Sequence, residues 1–259
     1  MKKRNKILIF GVLAVFLAAA VRMFLASIYV PPILMYHSID GNEEMSKLSL
    51  CPVGFARQME FFHKHGYNVI SLGEMVDLIK KGRRIPPKTV TITFDDGFRN
   101  NYLCAYPVLK RYGFPATIFV ITGHIGSKDY LTWDDIKELQ DNNITIGSHT
   151  KSHLWLVGMS DEKLRDEIFG SKEVLEKGTG RKIDFFSYPI GAYDERVQAV
   201  VKDAGYKAAC ATNPGPHKRW DDIYALKRVR ISRTANNMFV LWIETSGYYT
   251  FIKEVRDEE

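Results

Sequence analysis

Residues 32–244 alternate between short apolar segments typical of strands and longer segments with apolar residues at helical spacing. Strands that alternate with helices form a mostly parallel sheet covered by helices. About seven such units therefore predict an α/β domain with a closed or nearly closed βα barrel, and an open doubly wound sheet is the alternative. The predicted strands cover residues 32–36, 67–70, 89–94, 116–121, 144–146, 183–188 and 206–211.

The amino terminus has the pattern of a membrane signal. Residues 7–21 carry no polar side chain and follow a basic tip that contains Lys2, Lys3, Arg4 and Lys6. As a helix these residues span about 22 Å, short of the roughly 30 Å hydrocarbon layer, but residues 23–30 continue largely apolar after Arg22. We expect residues 1–30 to be a single-pass signal-anchor that leaves residues 31–259 outside the cytoplasm. A signal peptide cleaved near 18–20 or 25–27 is the alternative.

Composition excludes several classes of protein. Hydrophobic residues make up 46% and charged residues 25% of the 259 residues, which does not fit a disordered chain, a collagen-like repeat or a multi-span membrane protein. The basic tip supplies four of the six net positive charges, and no nucleic-acid motif accompanies them. We therefore expect no nucleic-acid partner, and the oligomeric state stays open.

Two adjacent carboxylates follow the predicted strand 89–94, in the sequence Thr-Phe-Asp-Asp-Gly at 93–97. Adjacent side chains on an extended backbone point in opposite directions, so Asp95 and Asp96 can have different roles. One can bind a metal ion while the other accepts a proton. Asp-Asp-Gly is also common in turns, and the motif alone leaves both interpretations open.

Two histidines, His149 and His153, follow the strand 144–146 with the spacing H-x-x-x-H. Such a pair can bring two imidazoles to one metal ion, although two solvated loop histidines would give the same pattern.

Two further strand ends carry candidate residues. Tyr188, Pro189, Ile190 and Gly191 follow the strand 183–188, and proline and glycine can fix a loop whose backbone N–H groups point at an oxyanion. An ordinary connection to the next helix is the alternative. His37 ends the first strand, where it is either an acid–base group or a core histidine.

All four motifs lie at the carboxyl ends of predicted strands, and in a parallel barrel these ends share the rim where active sites form. Asp96, His149 and His153 would then make a metal site with open positions. Asp95 beside it would be the base, and His37 would be a candidate acid.

These motifs resemble the polysaccharide deacetylases of the NodB-homology type, carbohydrate esterase family 4. The resemblance runs from about residue 33 to at least residue 193. It implies a distorted (β/α)7 barrel, a divalent metal that is usually zinc, and removal of acetyl groups from N-acetylated sugar polymers. It also implies that Asp95 is the base, that the metal ligands are those named above, and that residues 188–191 line the substrate groove. The oxyanion N–H would belong to Ile190.

The sequence departs from the family pattern in two places. Many members carry an arginine in the third motif, but none precedes Tyr188 here, so Arg228 or Arg230 is expected to orient the base. Many members also place a histidine that acts as the general acid near the carboxyl terminus, and residues 225–231 contain no histidine. The opening Met-Tyr-His at 35–37 resembles the subgroup that acts on exported poly-N-acetylglucosamine, in which an amino-terminal histidine takes that role. His124 and a metal-associated water are the rival acids.

We therefore expect a zinc-dependent hydrolase that removes N-acetyl groups from an N-acetylglucosamine polymer outside the membrane. A peptidoglycan deacetylase and an inactive sugar-binding module on the same fold are the alternatives. A non-haem iron oxygenase also uses two histidines and a carboxylate, but the separate base Asp95 disfavours it.

Overall fold

The computed structural model describes residues 2–40, 48–212, 222–251 and 253, with side chains from Phe10 onward. Its strands are short, and most of their residues are buried. They are β1 (Ile33–Tyr36), β2 (Asn68–Val69), β3 (Thr89–Phe94), β4 (Ala116–Val120), β5 (Ile144–Ser148), β6 (Phe185–Ser187), β7 (Ala208–Cys210) and β8 (Val229–Arg230).

The strands form a curled parallel sheet in the order β7-β6-β5-β4-β3-β1-β8, and β2 pairs with the start of β3. Residues 226–231 join the two edges of this sheet. The N–H of Leu226 donates to Ala209 O (3.0 Å) on β7, and the N–H of Ile231 donates to Met35 O (3.0 Å) on β1. The expected distorted βα barrel is therefore confirmed, with seven strands around its axis and β2 outside it.

Helices surround this sheet. They are α1 (Lys2–Ser27), α2 (Pro52–Lys64), α3 (Leu72–Lys80), α4 (Tyr106–Tyr112), α5 (Trp133–Asp141), α6 (Asp161–Arg165), α7 (Ser171–Thr179), α8 (Glu195–Asp203) and α9 (Met238–Glu244). Helix α1 is long and apolar enough to cross a membrane over Phe10–Ser27, and none of that stretch is buried.

Two π-helical turns interrupt the helical layer. Residues Asn101–Ala105 form the first, directly before α4, and residues Asp166–Gly170 form the second, between α6 and α7. A π-helical turn widens the helix locally and is frequent near functional sites. Each of these turns supplies one buried polar side chain, Asn101 and Glu167, that faces the carboxyl ends of the strands.

The apolar pattern predicted most elements to within a few residues, but it missed the last strand. β8 has only two residues and follows the cationic pair Lys227 and Arg228, so neither alternation nor an apolar run marks it. The predicted strand over 183–188 is also shorter, at Phe185–Ser187, because Tyr188 already begins the loop.

We predict that Leu226→Ala lowers the free energy of unfolding by about 2–5 kcal/mol, because Leu226 is 1% exposed in the segment that joins the sheet edges. Thermal and denaturant unfolding of the detergent-solubilised chain measures this loss. The matched control is Leu103→Ala, at a position 58% exposed, which should change stability by less than about 0.5 kcal/mol. Equal stability of the two variants would show that the joining segment does not hold the barrel together.

Candidate active site

A buried ion pair joins β3 to the segment that closes the barrel. Arg228 Nη1 donates to Asp95 Oδ1 and Arg228 Nη2 donates to Asp95 Oδ2, both at 2.7 Å. Both side chains are almost fully buried. Of the two arginines expected to orient the base, the structure therefore brings Arg228 to Asp95, while Arg230 is exposed.

The remaining polar atoms of this pair are also satisfied. Arg228 Nε donates to Ala211 O (3.0 Å), and Arg228 Nη2 also donates to Ser187 Oγ (2.9 Å). The hydroxyl of Ser187 in turn donates to Asp95 (3.3 Å), and Thr93 Oγ1 accepts a bond from Arg228 (3.3 Å). Such complete pairing is what allows a buried charge pair to persist.

This arrangement keeps Asp95 ionised. Burial alone would raise the pKa of its carboxyl, but attraction to Arg228 and His149 outweighs burial and holds the pKa well below its usual range. Asp95 is thus a carboxylate at every pH near neutrality.

Three potential metal ligands converge next to Asp95. One ligand atom from each of Asp96, His149 and His153 lies within 4.8 Å of the others. Asp96 Oδ1 lies 3.6 Å from Nε2 of both histidines. Two imidazole nitrogens and one carboxylate oxygen are a donor set that suits zinc, with positions left for water and substrate.

Both histidines present neutral ring nitrogens to this centre. Burial lowers the pKa of His149 to about 4, and it also lowers the pKa of His153. Nδ1 of His149 lies 2.8 Å from Ser187 O, a carbonyl that can only accept, so Nδ1 carries the proton and Nε2 keeps its lone pair. The two rings can therefore bind a cation without first losing a proton at neutral pH.

Asp96 occupies a different environment from its neighbour. Burial and the charge of Asp95 raise the pKa of Asp96 to about 7. Arg228 is already committed to Asp95, so a cation among the three ligands would stabilise Asp96 in its charged form. The residues present therefore fit a divalent metal.

The opposite directions expected for the side chains of Asp95 and Asp96 assume an extended backbone, but the backbone is not extended there. Asp96 has φ 72°, in the left-handed region that non-glycine residues rarely adopt. Both carboxylates consequently stay near His149, with Asp95 Oδ2 at 4.0 Å from Nε2 and Asp96 Oδ1 at 3.6 Å. Their different surroundings come from Arg228, which contacts only Asp95.

The loop that carries both histidines is held by the second π-helical turn. Glu167 is buried, and its Oε2 accepts N–H bonds from Lys151 and Ser152, each at 2.9 Å. The N–H of His153 donates to Thr150 Oγ1 (3.0 Å), and both of these residues have positive φ. Glu167 therefore holds a tight, strained loop in the shape that turns His153 back toward His149.

The loop at residues 188–191 is only partly exposed to the site. Tyr188 is fully buried, its hydroxyl donates to Tyr224 O (2.9 Å), and its ring stacks on Tyr193. The expectation that residues 188–191 line the groove thus does not hold for the side chains of Tyr188 and Pro189, which are both buried.

Ile190 and Gly191 form the exposed end of this loop. Ile190 is 65% exposed and has φ 59°, an unusual conformation for a β-branched residue. Gly191 also has positive φ, and a Cβ atom there would collide with Thr212, so only glycine fits. The backbone of this loop starts at Ser187, which contacts Asp95, Arg228 and His149.

His37 lines a groove of about 740 Å³ together with Asp96, Phe98 and Tyr130. Its backbone carbonyl accepts a bond from Asn101 (2.7 Å) in the first π-helical turn. Burial lowers the pKa of His37, and the charge of Asp95 opposes this shift. Nδ1 of His37 is buried, and no partner for it lies among the described residues.

The rival histidine also lies near this groove. The ring of His124 packs against Tyr130, with centroids 4.5 Å apart, and Tyr130 stacks on Phe98. His124 repels a proton on His153 and so contributes to the lowered pKa of that residue. Both candidate acids therefore lie close to the metal ligands.

Sequence reasoning missed three polar residues of the site, namely Ser187, Asn101 and Glu167. Ser187 lies next to the end of the predicted strand 183–188, so its position near the rim was a usable signal. Asn101 and Glu167 lie inside helical segments, where nothing in the sequence marks a π-helical turn.

Comparisons with known proteins agree with this geometry. A family model for polysaccharide deacetylase matches residues 82–209. YxkH of Bacillus subtilis (strain 168), which carries the name polysaccharide deacetylase, is 38% identical over 201 residues, covering 78% of this chain and 71% of that protein. The poly-beta-1,6-N-acetyl-D-glucosamine N-deacetylase of Staphylococcus aureus (strain MSSA476) is 28% identical over 211 residues, covering 75% of this chain and 72% of that protein.

A solved structure is similar over nearly its whole length. The Streptococcus pyogenes deacetylase PplD, determined in complex with acetate, aligns with a TM-score of 0.74 and 30% identity, covering 81% of this chain and 97% of that one. Together with the sequence relatives, this similarity shows that the chain belongs to the polysaccharide deacetylase family, whose members are amide hydrolases that act on polysaccharide.

Proposed function

We propose that this protein is a zinc-dependent deacetylase that removes N-acetyl groups from an N-acetylglucosamine polymer outside the cytoplasmic membrane. One observation carries the proposal: a fully paired carboxylate, Asp95, lies beside the ligand set Asp96, His149 and His153. A sugar-binding module would not need a buried base next to a metal site.

Asp96, His149 and His153 would hold the metal ion. A bound divalent cation supplies a Lewis acid at this position, which lowers the pKa of an associated water and polarises the acetyl carbonyl. Two neutral imidazoles, one carboxylate and open positions suit a catalytic zinc ion, which is the metal we propose.

Asp95 would act as the general base toward the attacking water. The bidentate contact with Arg228 fixes its orientation, and it stabilises the carboxylate while leaving it able to accept a proton transiently. Ser187 restrains the same carboxylate from a third direction. Arg228 is thus a positioning residue, which acts on the reaction only through Asp95.

Expulsion of the amine requires a proton donor, because an unprotonated amine leaves poorly. We assign this role to His37, which lines the groove beside Asp96, and we assign the oxyanion N–H to Ile190. The charge of Asp95 favours the imidazolium form of His37. Because burial lowers the pKa of His37, its neutral form is favoured before substrate binds, and the proton it donates must be taken up during turnover.

The relatives and α1 support the proposed polymer and its location. One relative is named for poly-beta-1,6-N-acetyl-D-glucosamine, which favours an exported polymer of that class over peptidoglycan. Residues 1–30 would anchor the chain, and residues 31–259 would form the catalytic domain outside.

The deciding experiment measures acetate released from chito-oligosaccharide, poly-N-acetylglucosamine and peptidoglycan, each with and without a chelator. We expect release from poly-N-acetylglucosamine to be fastest, to stop when metal is removed and to return with zinc. Undiminished release in a verified metal-free sample would disprove the metal-dependent mechanism.

We predict that His149→Ala and His153→Ala each lower zinc occupancy together with the rate, because each removes one of three ligands. Elemental analysis of the purified variants measures the occupancy. His63→Ala, at an exposed histidine on α2, is the matched control and should keep both zinc and rate. Normal zinc content in His149→Ala would exclude His149 as a ligand.

We predict that Asp95→Asn keeps its zinc and loses about 10²–10⁴-fold in rate, the usual contribution of a general base. Asp134→Asn, at an exposed position on α5, makes the same chemical change away from the site and should have little effect. If Asp95→Asn loses zinc as readily as Asp96→Asn, then Asp95 is a ligand and the roles are wrongly assigned.

We predict that His37→Ala slows acetamide substrates strongly but acetate esters with good leaving groups only slightly, because such leaving groups need little protonation. The ratio of the two rates, with zinc content unchanged, is the measurement. His124→Ala tests the rival acid under the same conditions and should leave the ratio unaltered. An equal loss on both substrate types would give His37 a structural or binding role.

A further inference from the structure

A cavity of about 900 Å³ lies between α1 and the loop that follows α3. One wall is formed by residues 18–26 of α1, which are apolar except for Arg22. The other wall is formed by residues 82–87 and carries Arg83 and Arg84. The cavity therefore combines an extended apolar wall with three guanidinium groups.

Among the described residues, these three arginines have no acidic partner. Across residues 2–40, 48–212, 222–251 and 253, no carboxylate forms an ion pair with Arg22, Arg83 or Arg84. Three like charges around one cavity repel one another unless an anion lies between them. An apolar wall beside a cationic cluster suits an anion that carries a long apolar chain.

The cavity lies at the end of the barrel opposite the candidate active site. Residues 85–88 lead directly into the amino end of β3, and Tyr29 leads into the amino end of β1. The connection is firmly packed, since the N–H of Val30 donates to Gly247 O (2.8 Å) and the ring of Tyr29 packs against Tyr248. The metal ligands follow the carboxyl ends of strands, roughly 20 Å away along the six residues of β3.

The position of Arg22 in α1 matches the edge of a membrane. The apolar stretch 7–21 ends at Arg22, about 7.5 Å before Ser27 along the helix axis. A cation this near the end of a membrane span places its charge among the phosphate groups. Arg83 and Arg84 line the same cavity as Arg22.

We propose that this cavity binds the headgroup of an anionic phospholipid of the outer leaflet, held by Arg22, Arg83 and Arg84. The acyl chains lie along α1 on the amino-terminal side of Arg22. Guanidinium groups bind phosphate oxygens in a bidentate manner, and three positive charges favour a headgroup of net negative charge over a zwitterionic one. The proposal rests on the proposed retention of α1 as an anchor.

This site fixes the orientation of the enzyme. The barrel stands on the membrane by the amino ends of its strands, and the catalytic rim faces away from the lipid. The enzyme then acts on polymer that has already left the membrane surface, while sugars attached directly to a membrane lipid lie out of its reach.

The experiment uses the full-length chain in detergent, with native mass spectrometry to count bound dioleoyl-phosphatidylglycerol and dioleoyl-phosphatidylcholine. We expect selective retention of phosphatidylglycerol. The double variant Arg83→Glu/Arg84→Glu should weaken that retention by at least roughly tenfold, since each basic side chain near a membrane surface contributes several-fold to binding of anionic lipid.

The matched control is Lys80→Glu/Lys81→Glu. It makes the same charge change on the same exposed segment, but neither lysine lines the cavity. Three outcomes would each overturn the proposal. The two double variants could lose phosphatidylglycerol equally, the unaltered chain could retain the two lipids equally, or its intact mass could lack α1. Acetate release from a soluble chito-oligosaccharide should be normal in both variants. If the unaltered chain releases no acetate, the result instead counts against the proposed function.

Discussion

The buried pair of Asp95 and Arg228 is the interaction on which the site depends. It connects the end of β3 with the segment that closes the barrel. The contact that joins the sheet edges therefore also positions the carboxylate of Asp95. Removing two charges from water is costly, and only near-ideal geometry offsets that cost. Here the guanidinium also bonds to Ala211 O and Ser187 Oγ. A partly formed closure would leave a buried charge without its partner, which favours a single arrangement of the strands.

The same pair separates two carboxylates that are adjacent in sequence. Asp95 is held ionised by Arg228, whereas Asp96 has a pKa raised to about 7 by burial and by the charge of Asp95. Environments that push the pKa values of neighbouring groups apart are how one site supports distinct acid–base roles. The backbone contributes too, because the positive φ of Asp96 turns its carboxylate toward His153.

Periodicity and strand-end motifs predicted the barrel and the set of residues that converge, because both depend on local pattern and on the parallel arrangement of strands. The contacts that orient those residues could not be read in the same way. Glu167 and Asn101 act from π-helical turns, and Arg228 acts from a segment with no strand pattern. Tyr188 shows the opposite error: its place in a motif suggested the groove, but its hydroxyl finds a buried partner, Tyr224 O, and the ring enters the core. Tertiary packing determines the position of each of these side chains, and the local sequence pattern does not show it.

The two departures from the family pattern are physically linked. A carboxylate at the end of β3 can receive an arginine from any strand whose end points into the barrel, and here the arginine comes from the closing segment rather than from β6. β1 lies between β3 and β8 in the sheet, so its carboxyl end adjoins both members of the ion pair. His37 ends that strand, and the charges of Asp95 and Arg228 act on it in opposite senses. Moving the arginine to the closing segment therefore leaves β1 as the neighbouring strand from which an acid can reach the same centre.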